Sequence, residues 1–173
     1  MTKPSGIIGI VHAAMDREKD AAAFYLRLAG AVADSKGKNV LIHLASDEVG
    51  HLDKLERHLV AVLSGKKGML PGADLADAMA ARLAEGPGID FPAEAEFARA
   101  DEIRVLELAL DRELETNRLY IEMAESAGSE ADREMFLALA REEDLHARIL
   151  RAEVDSIGRN GFWFDMQEFT MEQ

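Results

Sequence analysis

Along the first third of the chain, Val11, Ala14, Glu18, Ala21, Tyr25, Leu28 and Val32 recur at intervals of three and four residues, the spacing of one face of a helix. Leu41, Leu44, Glu48, His51, Leu55, His58 and Val62 continue the rhythm on a second predicted helix. A third stripe runs through Ile103, Leu106, Leu110, Glu113, Asn117, Tyr120 and Ala124, and a fourth through Phe136, Leu139, Glu143, His146, Leu150, Glu153 and Ile157. Every stripe is interrupted by a glutamate where an apolar residue would be cheaper to bury. In the second and fourth, a histidine follows three residues later.

The stripes are two copies of one plan. A shift of 95 positions carries Glu18 onto Glu113, Tyr25 onto Tyr120, Ala29 onto Ala124, Leu44-Ala45 onto Leu139-Ala140, Glu48 onto Glu143 and His51 onto His146. Asp34 and Ser129, also 95 apart, are suited to N-capping, and Ser129 with Asp132 resembles a capping box. Gly65 and Gly158 are suited to closing the second and fourth helices. Between the halves, residues 65–92 hold three of the four prolines around an amphipathic stretch, Ala73 to Glu85, and read as a crossover connection. The expectation is an all-α, ferritin-like antiparallel four-helix bundle with one long crossover. It forms a single domain, 1–173: a helical hairpin over 5–64, the crossover 65–95, a second hairpin over 96–158 and a short tail 159–173.

Spacing also sets the height of the polar residues. Glu18 and Glu48 are 30 apart about a midpoint at Ala33, and Glu113 and Glu143 are 30 apart about Gly128. At about 1.5 Å per residue each pair meets roughly 22 Å from its turn, near mid-bundle. Glu and His at i and i+3 both face inward, so Glu18, Glu48, His51, Glu113, Glu143 and His146 converge on one layer. Four buried carboxylates are costly without a counter-charge, and two metal cations would supply it. A glutamate from each of two helices plus Glu-x-x-His from the other two is the known di-iron or di-manganese arrangement. Oxygen-rich ligation with two imidazoles suits two iron ions, or manganese or a mixed pair.

Tyr25 and Tyr120, seven residues after their glutamates, return to the same face. They either pack in the core or orient a ligating carboxylate from behind. His12, His43 and His58 lack the motif and read as surface or core-edge residues, with His58 on the face of His51. Asp47 and Glu142 adjoin ligand glutamates and are expected to point away as surface charges.

Composition adds mainly exclusions. With 33 acidic and 20 basic residues the formal charge is −13, which disfavours nucleic acid and anionic membranes as partners and favours cations. There is no cysteine, so these residues form no disulfide, thiolate zinc site, iron–sulfur cluster or rubredoxin-type centre. The apolar run from Ile7 to Met15 is broken by His12 and leads straight into charge, unlike a signal peptide or membrane span, and a cytoplasmic location is expected.

The sequence resembles the rubrerythrin branch of the ferritin-like superfamily along nearly its whole length. The likeness rests on Glu18 with Phe24-Tyr25, Leu44-Ala45 before Glu48 and His51, Glu113 with Leu119-Tyr120, Leu139-Ala140 before Glu143 and His146, and the ending Gly161-Phe162-Trp163-Phe164 with Glu168-Phe169. The resemblance implies a non-haem di-iron oxidoreductase that reacts with hydrogen peroxide or dioxygen, often as a homodimer. Two departures stand out. Complete rubrerythrins carry a cysteine-ligated rubredoxin domain, so here an external electron donor would be required. They also place an additional ligand glutamate one turn after the third-helix glutamate, where this chain has Thr116, with Glu115 one position off.

Three functions remain open on the sequence: a di-iron enzyme that reduces peroxide or oxidises ferrous iron, a protein that stores or buffers iron with little turnover, and a bundle that metal merely stabilises. In the tail, the only tryptophan and three of seven phenylalanines gather within 160–173. They are expected to pack on a second subunit, the alternative being a cap on the chain's own bundle.

Overall fold

The computed structural model describes residues 7–64 and 99–164. Among them lie four helices: α1 (Ile7–Ala31), α2 (Ser35–Leu63), α3 (Arg99–Ser126) and α4 (Glu130–Arg159). The crossover, the amphipathic stretch from Ala73 to Glu85, Gly65 and Phe169 lie outside the described residues.

Short turns join α1 to α2 and α3 to α4, at the two positions that the glutamate spacing marked. Asp34 caps α2 by accepting from the Lys36 and Gly37 amides at 2.8 and 3.2 Å. Ser129 caps α4, accepting from the Asp132 amide at 3.2 Å while its hydroxyl donates to the Asp132 carboxylate at 2.6 Å. Such caps satisfy helix-terminal amides that would otherwise lack partners. Gly158 does not close the last helix. It lies inside α4, and Gly161, at φ 83°, makes the turn, its amide reaching the Ser156 and Ile157 carbonyls at 3.2 Å. Left-handed backbone there favours glycine.

The predicted stripe of α1 is buried throughout, as is that of α4. Their apolar members form two clusters stacked along the bundle. One, toward the α1–α2 turn, includes Phe24, Leu28, Leu41, Leu106 and Leu150. The other, toward the α3–α4 turn, includes Val11, Leu55, Leu119, Met123 and Phe136. The polar layer lies between them.

The tail begins by folding back on its own chain. Trp163 is buried, its indole carbons filling the space where a side chain on Gly37 would sit, while Ser156 Oγ donates to the Phe162 carbonyl at 2.6 Å. The Phe164 amide donates to the buried Glu153 carboxylate at 3.1 Å. For Trp163, then, the cap describes the structure and the subunit contact does not. Phe162 is left 71% exposed.

Candidate metal centre

Each helix contributes one glutamate to the mid-bundle layer, and all four are buried with His51 and His146. Their donor atoms fall into two overlapping groups, each within 4.8 Å: Glu18, Glu48, His51 and Glu143, and Glu48, Glu113, Glu143 and His146. Glu48 and Glu143 belong to both. This overlap follows from the motif: the second- and fourth-helix glutamates face the bundle axis from opposite sides, and their histidines flank it one turn on.

Both imidazoles turn Nδ1 inward. His51 Nδ1 is 3.3 Å from Glu18, 3.1 Å from Glu48 and 3.2 Å from Glu143. His146 Nδ1 is 3.3 Å from Glu48, 3.5 Å from Glu143 and 3.9 Å from Glu113. The two rings stack with centroids 5.3 Å apart.

The tyrosines take the orienting role, and they do so crosswise. Tyr25 of α1 donates to the Glu113 carboxylate of α3, and Tyr120 of α3 donates to Glu18 of α1. Burial, then the facing carboxylates, pushes both phenols well above their ordinary value, so each stays a donor.

Electrostatics reflects the crowding. Burial, then the charges of Glu113 and Glu18, raises Glu48 to about 7. Burial, followed by the charge of Glu143, raises Glu113 well above the carboxylate range. Glu18 goes the other way: burial works to raise it, but hydrogen bonds from His51, Glu48 and Tyr120 outweigh that and hold it below 4.5. His146, despite burial, is raised to about 12 by Asp47, Glu143 and Glu48, and His51 is raised by Glu143, Glu18 and Glu48. In the metal-free protein the imidazoles are thus cations that partly neutralise the glutamates.

Partial is the operative word, because orphans remain. Glu48 Oε1, both carboxylate oxygens of Glu143 and His146 Nδ1 are buried and, beyond the ion pairs among themselves and with His51, make no hydrogen bond. Those atoms lie on the two residues common to both groups and on one flanking histidine. Buried polar atoms normally find partners, and a cation in each group would serve them all. The donor set therefore fits two metal ions.

Two residues expected at the surface belong to the site. Glu142 Oε2 is 3.0 Å from His51 Nε2, and Asp47 Oδ2 is 3.5 Å from His146 Nε2. Each carboxylate reaches across from the helix opposite, onto the outer nitrogen of the other half's histidine. Their own 95-residue spacing was the available signal. Asp47 is lowered below its ordinary value, first by His146.

Thr116, where the resemblance would place an additional glutamate, is tied up. Its Oγ1 accepts from Arg17 Nε at 2.7 Å and donates to the Arg112 carbonyl at 3.0 Å. Glu115 pairs with Arg17 Nη2 at 3.4 Å, away from the six donors. The buried Arg17 was not marked by the stripe because it faces α3 alongside the layer. His12 and His43 are exposed, whereas His58 lies 2.7 Å from the fully buried Asp132, joining α2 to the start of α4.

Comparisons with known proteins bear on the fold and on the second half of the chain. No curated protein matches the chain. A solved structure of a hypothetical protein from Pyrococcus furiosus superposes with a TM-score of 0.73 at 22% sequence identity, covering 91% of this chain and 94% of that one, and so shares the fold. No described helix is long and apolar enough to cross a membrane. A family model described as Rubrerythrin matches residues 86–161, the stretch bearing Glu113, Glu143 and His146, and makes that stretch similar to the ferritin-like di-iron family.

Proposed function

We propose that this protein holds two iron ions, one by Glu18 and His51 and the other by Glu113 and His146, with Glu48 and Glu143 shared. Its activity is that of a non-haem oxidoreductase, either reducing peroxide with electrons from an external donor or oxidising ferrous iron with peroxide or dioxygen as the electron acceptor. The single observation that carries the reading is the pair of overlapping donor groups with orphaned oxygens on their shared glutamates. Four carboxylates crowded on two imidazoles leave an excess of buried negative charge that a purely structural polar layer would avoid.

Bound iron would supply two electrons, one from each ferrous ion, to the O–O bond of peroxide, which with two protons becomes two waters. The protein's residues do the rest. Tyr25 and Tyr120 hold the terminal carboxylates in place. The apolar clusters above and below keep bulk water out. His51 and His146 must each lose the inward-facing proton before ligating, so metal uptake releases protons.

Anaerobic loading with ferrous iron, followed by stopped-flow mixing with peroxide and separately with dioxygen, tests the activity. Rapid oxidation by peroxide that can be re-reduced and repeated is expected. Slow oxidation with ferric iron retained would instead indicate storage, and a protein that binds no iron would end the proposal.

A further inference from the structure

The six donors repeat in kind, but the groups behind the two histidines do not. Glu142, which meets His51 Nε2 at 3.0 Å, is itself held by Lys54, whose Nζ lies 2.5 Å from both carboxylate oxygens. Asp47 stands 3.5 Å from His146 Nε2, beyond good hydrogen-bond length, and pairs with no lysine or arginine among the described residues. The difference is written into the repeat. Shifted by 95, Lys54 falls on Ile149, which is buried in the core, and Glu142 corresponds to the shorter Asp47.

We propose that Lys54 and Glu142 form a clamp that positions His51, so that the Glu18–His51 half of the site takes up the first metal ion and the Glu113–His146 half the second. The inference rests on the two-metal reading above. A histidine that ligates through Nδ1 carries its proton on Nε2 and donates it outward, so the outward acceptor fixes both tautomer and ring plane. For His51 that acceptor is fixed in turn by an ammonium on both of its oxygens. His146 faces a carboxylate free to swing, and must be ordered as metal binds. Because Lys54 and Glu142 are partly exposed, their ion pair adds little to folding stability, and its effect is on geometry.

The test is a titration of metal-free protein, with histidine labelled by nitrogen-15, against zinc as a diamagnetic probe. In the wild type, the His51 Nδ1 signal should move over the first equivalent and that of His146 over the second. Glu142→Ala should weaken the first step about tenfold and erase the order. Lys54→Met should act in the same direction but less, and Lys54→Arg should restore wild-type order. Asp47→Ala should weaken only the second step. Both histidines shifting in parallel in the wild type, His146 shifting first, or Glu142→Ala and Asp47→Ala weakening both steps alike would overturn the clamp while leaving two-metal binding intact. Uptake of fewer than two zinc ions by the wild type would overturn the two-metal reading itself.

Discussion

Replacing Gly37 with alanine should destabilise this protein, although the same change inside a helix ordinarily stabilises. Gly37 lies in the first turn of α2, where alanine would gain about 0.5–1 kcal/mol in conformational entropy. Against this, the new Cβ would lie 2.6 Å from two indole carbons of Trp163, well inside contact distance. The ring cannot give by rotating a flexible end, since it is wide, flat and buried. Either it shifts within the core, an overpacking cost of about 1–3 kcal/mol, or it leaves its site, forfeiting part of the 3–5 kcal/mol scale typical of lost buried aromatics. The net expectation is a loss of about 1–2 kcal/mol. Urea denaturation followed by far-ultraviolet circular dichroism measures it, and the emission of Trp163, the sole tryptophan, should move to longer wavelength in the native variant. A double-mutant cycle isolates the cause: in a Trp163→Ala background, Gly37→Ala should become neutral or stabilising. Unchanged stability and emission in the single variant would refute the packing argument and leave the tail detached from the bundle.

Three further outcomes follow from the site. His51→Ala should lower metal content and thermal stability together, measured by elemental mass spectrometry and calorimetry, and full occupancy by two metals would remove His51 from the ligand set. Tyr120→Phe should destabilise the metal-free protein by about 1.5–3 kcal/mol, the range for a hydrogen bond to a charged group, and the metal-loaded protein by less, because a bound cation also holds Glu18; equal losses in the two forms would contradict that placement. The metal-free protein should lose stability as pH rises from mildly acid through neutral. Glu48, Glu113, His51 and His146 are raised in the fold, so their contributions are full below the unfolded values of 4.5 and 6.5 and fade as pH climbs toward the folded ones, about 7 for Glu48. Glu18, lowered, acts oppositely: its share is present above 4.5 and lost as pH falls. Chemical denaturation of chelator-treated protein across that range should show the decline, and a flat profile would mean that water screens the layer.

The six donors were legible because two kinds of regularity coincide on them, the helical period and the 95-residue repeat, and both concern residues facing the bundle axis. What escaped lies off that axis. A residue one position before a ligand is rotated about 100° from it, which is why Asp47 and Glu142 read as surface charges. Their side chains nevertheless reach the outer nitrogens of histidines on the opposing helix, a contact that depends on interhelical distance. The crosswise pairing of Tyr25 with Glu113 and Tyr120 with Glu18 likewise depends on α1 and α3 standing beside one another. Arg17 is buried by the approach of α3, and no periodicity within α1 announces a partner from another helix. The end of α4 was misjudged for a local reason: Gly158 is tolerated inside a helix, and Gly161, three residues on, has the backbone conformation that stops it.

Diffraction from crystals grown with ferrous iron, recorded on both sides of the iron absorption edge, tests the central claim most directly. Two anomalous peaks should appear within the layer, one beside Glu18 and His51 Nδ1 and one beside Glu113 and His146 Nδ1, with Glu48 and Glu143 reaching both. A layer without anomalous density, or iron found only on exposed acidic side chains, would contradict it.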